Sequence, residues 1–175
     1  MRKIIGAIAM AALIGSGLTG LPAASAAAAG KVGTAPFTGT STFDFPSGKC
    51  STLPVAFNQV FDATITGQKD ATLHIEGCVD LSNASNVRFT GTFTITWPKR
   101  HSVSGPATSS TPENPPGPCA SGIPVAIGID LTPMRVHGQP RPPIALDGTW
   151  CSPATPGVPG PIFGTVTGAL PPIIH

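Results

Sequence analysis

The stretch Arg88-Phe-Thr-Gly-Thr-Phe-Thr-Ile-Thr-Trp97 alternates apolar and hydroxyl side chains over ten residues. Phe89, Gly91, Phe93, Ile95 and Trp97 share one face and Arg88, Thr90, Thr92, Thr94 and Thr96 the other, the period of two that a half-buried β-strand produces. Phe37-Thr-Gly-Thr-Ser-Thr-Phe-Asp-Phe45 opens on the same Phe-Thr-Gly-Thr and keeps the alternation, predicting a strand over 38–45. In 53–66, Val55, Phe57, Phe61, Ala63 and Ile65 oppose Asn58, Asp62, Thr64 and Thr66. In 71–81, Leu73, Ile75, Gly77, Val79 and Leu81 oppose His74, Glu76, Cys78 and Asp80. Short polar turns join these four segments, which predicts an antiparallel meander.

The pattern weakens after Trp97-Pro98. Residues 99–118 are mostly Ser, Thr, Pro, Gly and charge, so a short strand at 102–105 and then an exposed loop of polyproline character over 106–118 are expected. Alternation returns in 123–134, with Ile123, Val125, Ile127, Ile129 and Leu131 on one face, and the last strands are expected at 144–150 and 162–170. Apolar residues never recur at three and four, so no helix is expected in this part of the chain.

About eight antiparallel strands must either close as a barrel or stack as a two-sheet β-sandwich. Glycines on the core face favour the all-β barrel. Phe37, Phe43, Phe45, Phe57, Phe61, Phe89, Phe93, Trp97 and Trp150 are all assigned to the interior, which an eight-stranded barrel just accommodates. Gly39, Gly91 and Gly148 on the same faces leave some room.

Met1-Arg-Lys3, an apolar run over 4–21 and Ala24-Ser-Ala26 form the pattern of a secretory signal peptide, 1–26, with cleavage sites extending to residue 30. A single domain over 31–175, secreted and without a membrane span, is expected to remain. Cleavage after residue 26 leaves about 149 residues, long enough for one core. Loss of Arg2 and Lys3 leaves eight basic against eight acidic residues, scattered singly along the sequence. No nucleic-acid or anionic-membrane footprint is expected from that scatter.

Four cysteines in the exported part, Cys50, Cys78, Cys119 and Cys151, predict two disulfides. None of their spacings is that of zinc ligands. Cys78 and Cys151 fall on the faces opposite the apolar rows and Cys50 and Cys119 in turns, so each bridge should tack a turn onto the outside of a strand. The expected pairs are Cys50–Cys78 and Cys119–Cys151.

The sequence has no nucleophile elbow, His-Glu-x-x-His, phosphate-binding loop or calcium loop, and no cofactor is implied. His74, Glu76 and Asp80 share a strand face, where acid/base chemistry or a metal is conceivable; the plainer reading is a solvated face. Lys99, Arg100 and His101 form a short basic run, a weak candidate for binding. Rows of Thr at 38, 40, 42 and at 92, 94, 96 are either a hydroxyl lattice or ordinary strand surface.

The signal, the strand type and the two cysteine pairs together resemble small secreted β-proteins of actinobacteria. The Phe-x-Gly-Thr element, at 37–40 and 89–92, resembles strands of the allene oxide cyclase and dirigent barrel class. That resemblance implies a barrel and carries over no catalytic residue. The favoured functional reading is an extracellular structural or binding module for an unknown extracellular or cell-wall macromolecule, engaged through the 99–118 loop. A lumenal carrier of a small hydrophobic ligand and an enzyme using the His74/Glu76/Asp80 face are the alternatives.

Overall fold

Among the described residues, period-two alternation becomes eight strands and one short 3-10 turn: β1 (Gly33–Asp44), the turn Gly48–Cys50, β2 (Ala56–Ile65), β3 (Ala71–Asp80), β4 (Arg88–Thr96), β5 (Ser102–Ser109), β6 (Ile123–Leu131), β7 (Ile144–Ser152) and β8 (Gly160–Gly168). The computed structural model describes residues 33–45, 48–50, 53, 55–67, 71–83, 87–98, 101–134 and 141–169. The expected signal peptide and two of the candidate binding residues, Lys99 and Arg100, lie outside the described residues.

Each strand pairs antiparallel with the next, and β8 returns to β1 from Gly33↔Gly168 to Ser41↔Gly160. The architecture is the closed barrel, not the sandwich. Both disulfides form as expected, Cys50–Cys78 and Cys119–Cys151. The β1–β2, β3–β4, β5–β6 and β7–β8 connections share one end of the barrel, the upper end; the other connections share the lower end.

Inward positions carry the core. Phe37, Ile65, Leu73, Ile75, Phe93, Ile95, Leu131, Ile144, Ile162 and Val166 are fully buried. Outward positions of β2 to β4, including Asp62, Thr64, Thr72, His74, Thr92 and Thr96, are mostly polar and exposed, with Ala56 and Val60 of β2 among the exceptions. A lipid-spanning barrel needs an apolar band on that side. The Thr rows lie on β1 and β4, separated by β2 and β3, so they do not combine into one lattice.

Two glycine pairs sit in register on the inner face, Gly77↔Gly91 and Gly148↔Gly164. A Cβ on Gly164 would lie 2.9 Å from Phe37 Cε1, one on Gly148 3.0 Å from Phe37 Cζ, and one on Gly77 2.7 Å from Phe89 Cζ. The glycines therefore seat aromatic rings against bare backbone, the device by which curved sheets fill the space a missing side chain leaves. This corrects the expectation that Gly148 leaves room in the interior.

Other assignments change too. Phe45 lies beyond the last residue of β1 and is half exposed, and Phe43 and Phe57 are only partly buried against the core. Ser41 and Gln59 are inward and buried instead, with Gln59 Nε2 donating to Ser41 Oγ at 3.2 Å, which satisfies polar groups that would otherwise be costly inside. The expected loop starts later than predicted: 102–109 is strand β5, with Pro106 opposite Thr92. Its inward residues Val103, Gly105 and Ala107 are too small to give a strong alternating signal.

Candidate functional site

β7 places Asp147, Thr149 and Cys151 at alternate positions, on the face opposite the buried Leu146 and Trp150. All three hold the segment 110–122. Asp147 Oδ1 accepts from the Glu113 N–H at 3.0 Å, and Asp147 Oδ2 accepts from the Asn114 side-chain amide. Thr149 Oγ1 accepts from the Gly117 N–H at 2.7 Å, and Cys151 bonds to Cys119. The segment first crosses β6 at Gly128, whose carbonyl accepts from the Ser110 N–H at 2.8 Å; a Cβ there would lie 2.8 Å from Ser110 O. It re-enters the sheet through Gly122 at φ 83°, a left-handed conformation that glycine adopts without steric cost.

The Pro-rich stretch is thus a strap fastened along β7, still exposed at most positions but held at four points. What the sequence did not foresee is the attachment of this exposed stretch: removing 106–118 would take out half of β5 and every strap contact before Cys119. The anchors were missed in the sequence. Their signal was present, since Asp147 and Thr149 share the outward parity of Cys151, already placed on the outside.

His74, Glu76 and Asp80 do share an outward face, but they do not converge. His74 Nδ1 lies 2.7 Å from Asp62 Oδ1 across the β2–β3 ladder. Glu76 pairs with the Lys49 ammonium and accepts from Asn58 Nδ2 at 3.4 Å. Asp80 Oδ1 accepts from the Ser82 N–H at 2.9 Å. The Lys49 hydrogen bond holds the Glu76 carboxyl below the usual glutamate range, and the Ser82 N–H does the same for Asp80. A general acid at neutral pH needs the opposite shift. Among the described residues no three His, Cys, Asp or Glu side chains are grouped as metal ligands. His101 is exposed in the β4–β5 connection, where its carbonyl accepts from the Trp97 N–H at 2.9 Å.

Two surface features remain. An open cleft of about 350 Å³ lies where the strap returns beside the β7–β8 connection, between Gly122, Cys151, Pro153, Val158 and Gly160. The second feature is the upper end itself. Phe45, Val55, Leu81, Val87, Ile123, Val125 and Val158 are exposed there, and among the described residues Met134 is the one exposed large apolar residue at the lower end. They are neighbours around the rim. Leu81 N donates to Val55 O at 2.9 Å, Leu81 and Val87 flank the Asp80↔Arg88 pair, and Gly157 N donates to Phe43 O at 2.8 Å, bringing Val158 beside the end of β1. Beneath the rim Phe43 meets Phe57 and Trp150 edge to face at 5.6 and 5.8 Å.

No family model, curated protein or solved structure matches the chain.

Proposed function

We propose that the protein is a secreted module that works by binding or scaffolding through its outer surface, not by chemistry and not by carrying a ligand in its lumen. The observation that carries this reading is the packed interior, in which the Phe37 ring takes the space over Gly148 and Gly164 that a ligand would need. The separate pairing of His74, Glu76 and Asp80 supports it against the enzyme reading, since neither carboxylate is poised as an acid. Two disulfides favour an oxidising compartment, in keeping with the signal-like residues 1–26 and with the small exported β-proteins the sequence resembles. Its partner is an extracellular or cell-wall macromolecule.

Native mass spectrometry of the protein recovered from culture fluid tests the reading. The expected mass is that of a chain starting between residues 27 and 31, with four hydrogens lost to two disulfides and no bound small molecule. A co-purifying lipid or fatty acid at one per chain would establish the carrier instead, and a chain retaining residues 1–26 would rule out cleavage.

A further inference from the structure

We propose that the upper end of the barrel is a self-association surface through which two copies of this chain pack end to end. The proposal rests on the surface-acting reading in one respect, that this end is a surface and not an entrance.

The rim is apolar over an area that water does not leave exposed without cost. Its seven side chains are 37 to 68% exposed. Taking roughly 150–200 Å² for a large residue, they present on the order of 500 Å². This is near the top of what one patch on a monomer shows. Polar residues between them, Ser82, Ser121 and Thr155, extend the area toward the roughly 800 Å² per partner of a standard interface. Association at the low end of that class is concentration-dependent, with micromolar dissociation.

Charge selects a second copy over a lipid surface. Binding an anionic bilayer through apolar side chains needs free cations around them. At this end Lys49 is paired with Glu76, and Arg88 stands opposite Asp80 in the β3–β4 register. Asp44, exposed at the end of β1, adds one carboxylate that further opposes an anionic surface, and across a two-fold axis its two copies stand apart by twice their distance from that axis, which limits the like-charge cost.

The β5–β6 seam selects a closed pair over a growing chain. Gly128 O accepts from Ser110 N on the seam side, so by alternation the backbone groups of Ala126 and Pro124 also face the seam. Beyond Ser109 no β5 residue is opposite them. Pro124 has no N–H to give there, and proline at such a position blocks continued strand addition. Contact therefore falls to the side chains of the rim, with Ile123, the most exposed of them, at its β6 side.

Sedimentation equilibrium of the mature, disulfide-intact protein over micromolar to submillimolar concentrations should show a monomer–dimer equilibrium. Ile123→Asp and Val158→Asp, each at an exposed position, should weaken dimerisation at least about tenfold, the scale of a central contact, with unchanged circular dichroism. Met134→Asp at the lower end should leave it unchanged. Wild type that stays monomeric, or a Met134→Asp effect equal to that of Ile123→Asp, would overturn the proposal. So would flotation with phosphatidylcholine vesicles that Ile123→Asp abolishes, since the occupant would then be a membrane. Should the Asp variants unfold, hydrogen exchange of wild type decides: protection of residues 123–125 rises with concentration if the pair forms, and constant protection rejects it. Stoichiometric binding of a fluorescent fatty acid to the monomer would instead defeat the surface-acting reading, so the two failures are distinguishable.

Discussion

β1 and β8 come from opposite ends of the described chain and pair over nine positions, whereas β5 and β6 follow one another and pair over three. Nearness in sequence therefore does not set the length of a ladder here. The long closure is held by backbone pairing and by the Phe37 ring, which reaches from β1 over Gly164 and Gly148. The short one is held by other means: the strap crosses it at Gly128 and is fastened to β7 by Asp147, Thr149 and Cys151. Where pairing stops, side-chain anchors and a covalent bond do the work of the missing ladder.

Phe37→Ala should strike the long closure hardest. Loss of a fully buried ring costs about 3–5 kcal/mol, read as a fall in stability in denaturant melts, and β1 and β8 amides should lose protection first. Phe93→Ala, on the opposite wall, should cost a similar amount but spread its effect, and localised β1–β8 opening in both variants would break the distinction. Joint replacement of Cys119 and Cys151 by Ser should release the strap. The chain-entropy model gives roughly 3–4 kcal/mol for a loop of this size, and exchange should rise in β6 and 110–122 while β1–β8 keeps its protection.

Asp147→Ala removes two hydrogen bonds to the strap and should cost about 1–2 kcal/mol, again sparing the long closure. Thr92→Ala, on the outer face of β4, should cost under about 1 kcal/mol. The smallest effect is that of acid. Glu76 and Asp80 have folded-state pKa values below their ordinary values of 4.5 and 3.8. Their contribution is present above those values and is lost as pH falls through the lowered ones. Stability should be flat through neutral pH and begin to decline below about pH 4.5, less so in Glu76→Gln; a decline starting near pH 6 would point to other groups.

The first four strands were legible because each carries large apolar residues at alternate positions with polar ones between. The same rule misplaced Phe45, since alternation says which way a side chain points but not whether the barrel wall still stands beside it. It passed over Ser41 and Gln59, which hold inward positions by bonding to each other. β5 was half hidden because Gly105 and Ala107 are small and Pro106 reads as a break. The β1–β8 closure leaves no local mark at all. Of the candidate chemistry, the shared face of His74, Glu76 and Asp80 was read correctly. They stay apart, in keeping with the plainer reading of a solvated face, because alternate residues on a strand stand nearly 7 Å apart and each has a nearer partner: Asp62 on β2, Lys49 in the 3-10 turn and Ser82 just past the end of β3. The apolar rim escaped notice because its members are far apart in sequence and meet only where four connections share one end.

The two disulfides join neighbours in the order of the sequence, first cysteine to second and third to fourth, with sequence separations of 28 and 32. Four cysteines permit three connectivities, and this is the one that order of arrival selects. Were the chain exported N-terminus first, as proposed, Cys78 would find only Cys50 already outside, and Cys151 would find Cys119 as the sole remaining thiol. An oxidase acting on each cysteine as it emerges would therefore produce the native set directly, without an isomerase to reshuffle it and before β8 has arrived to complete the wall.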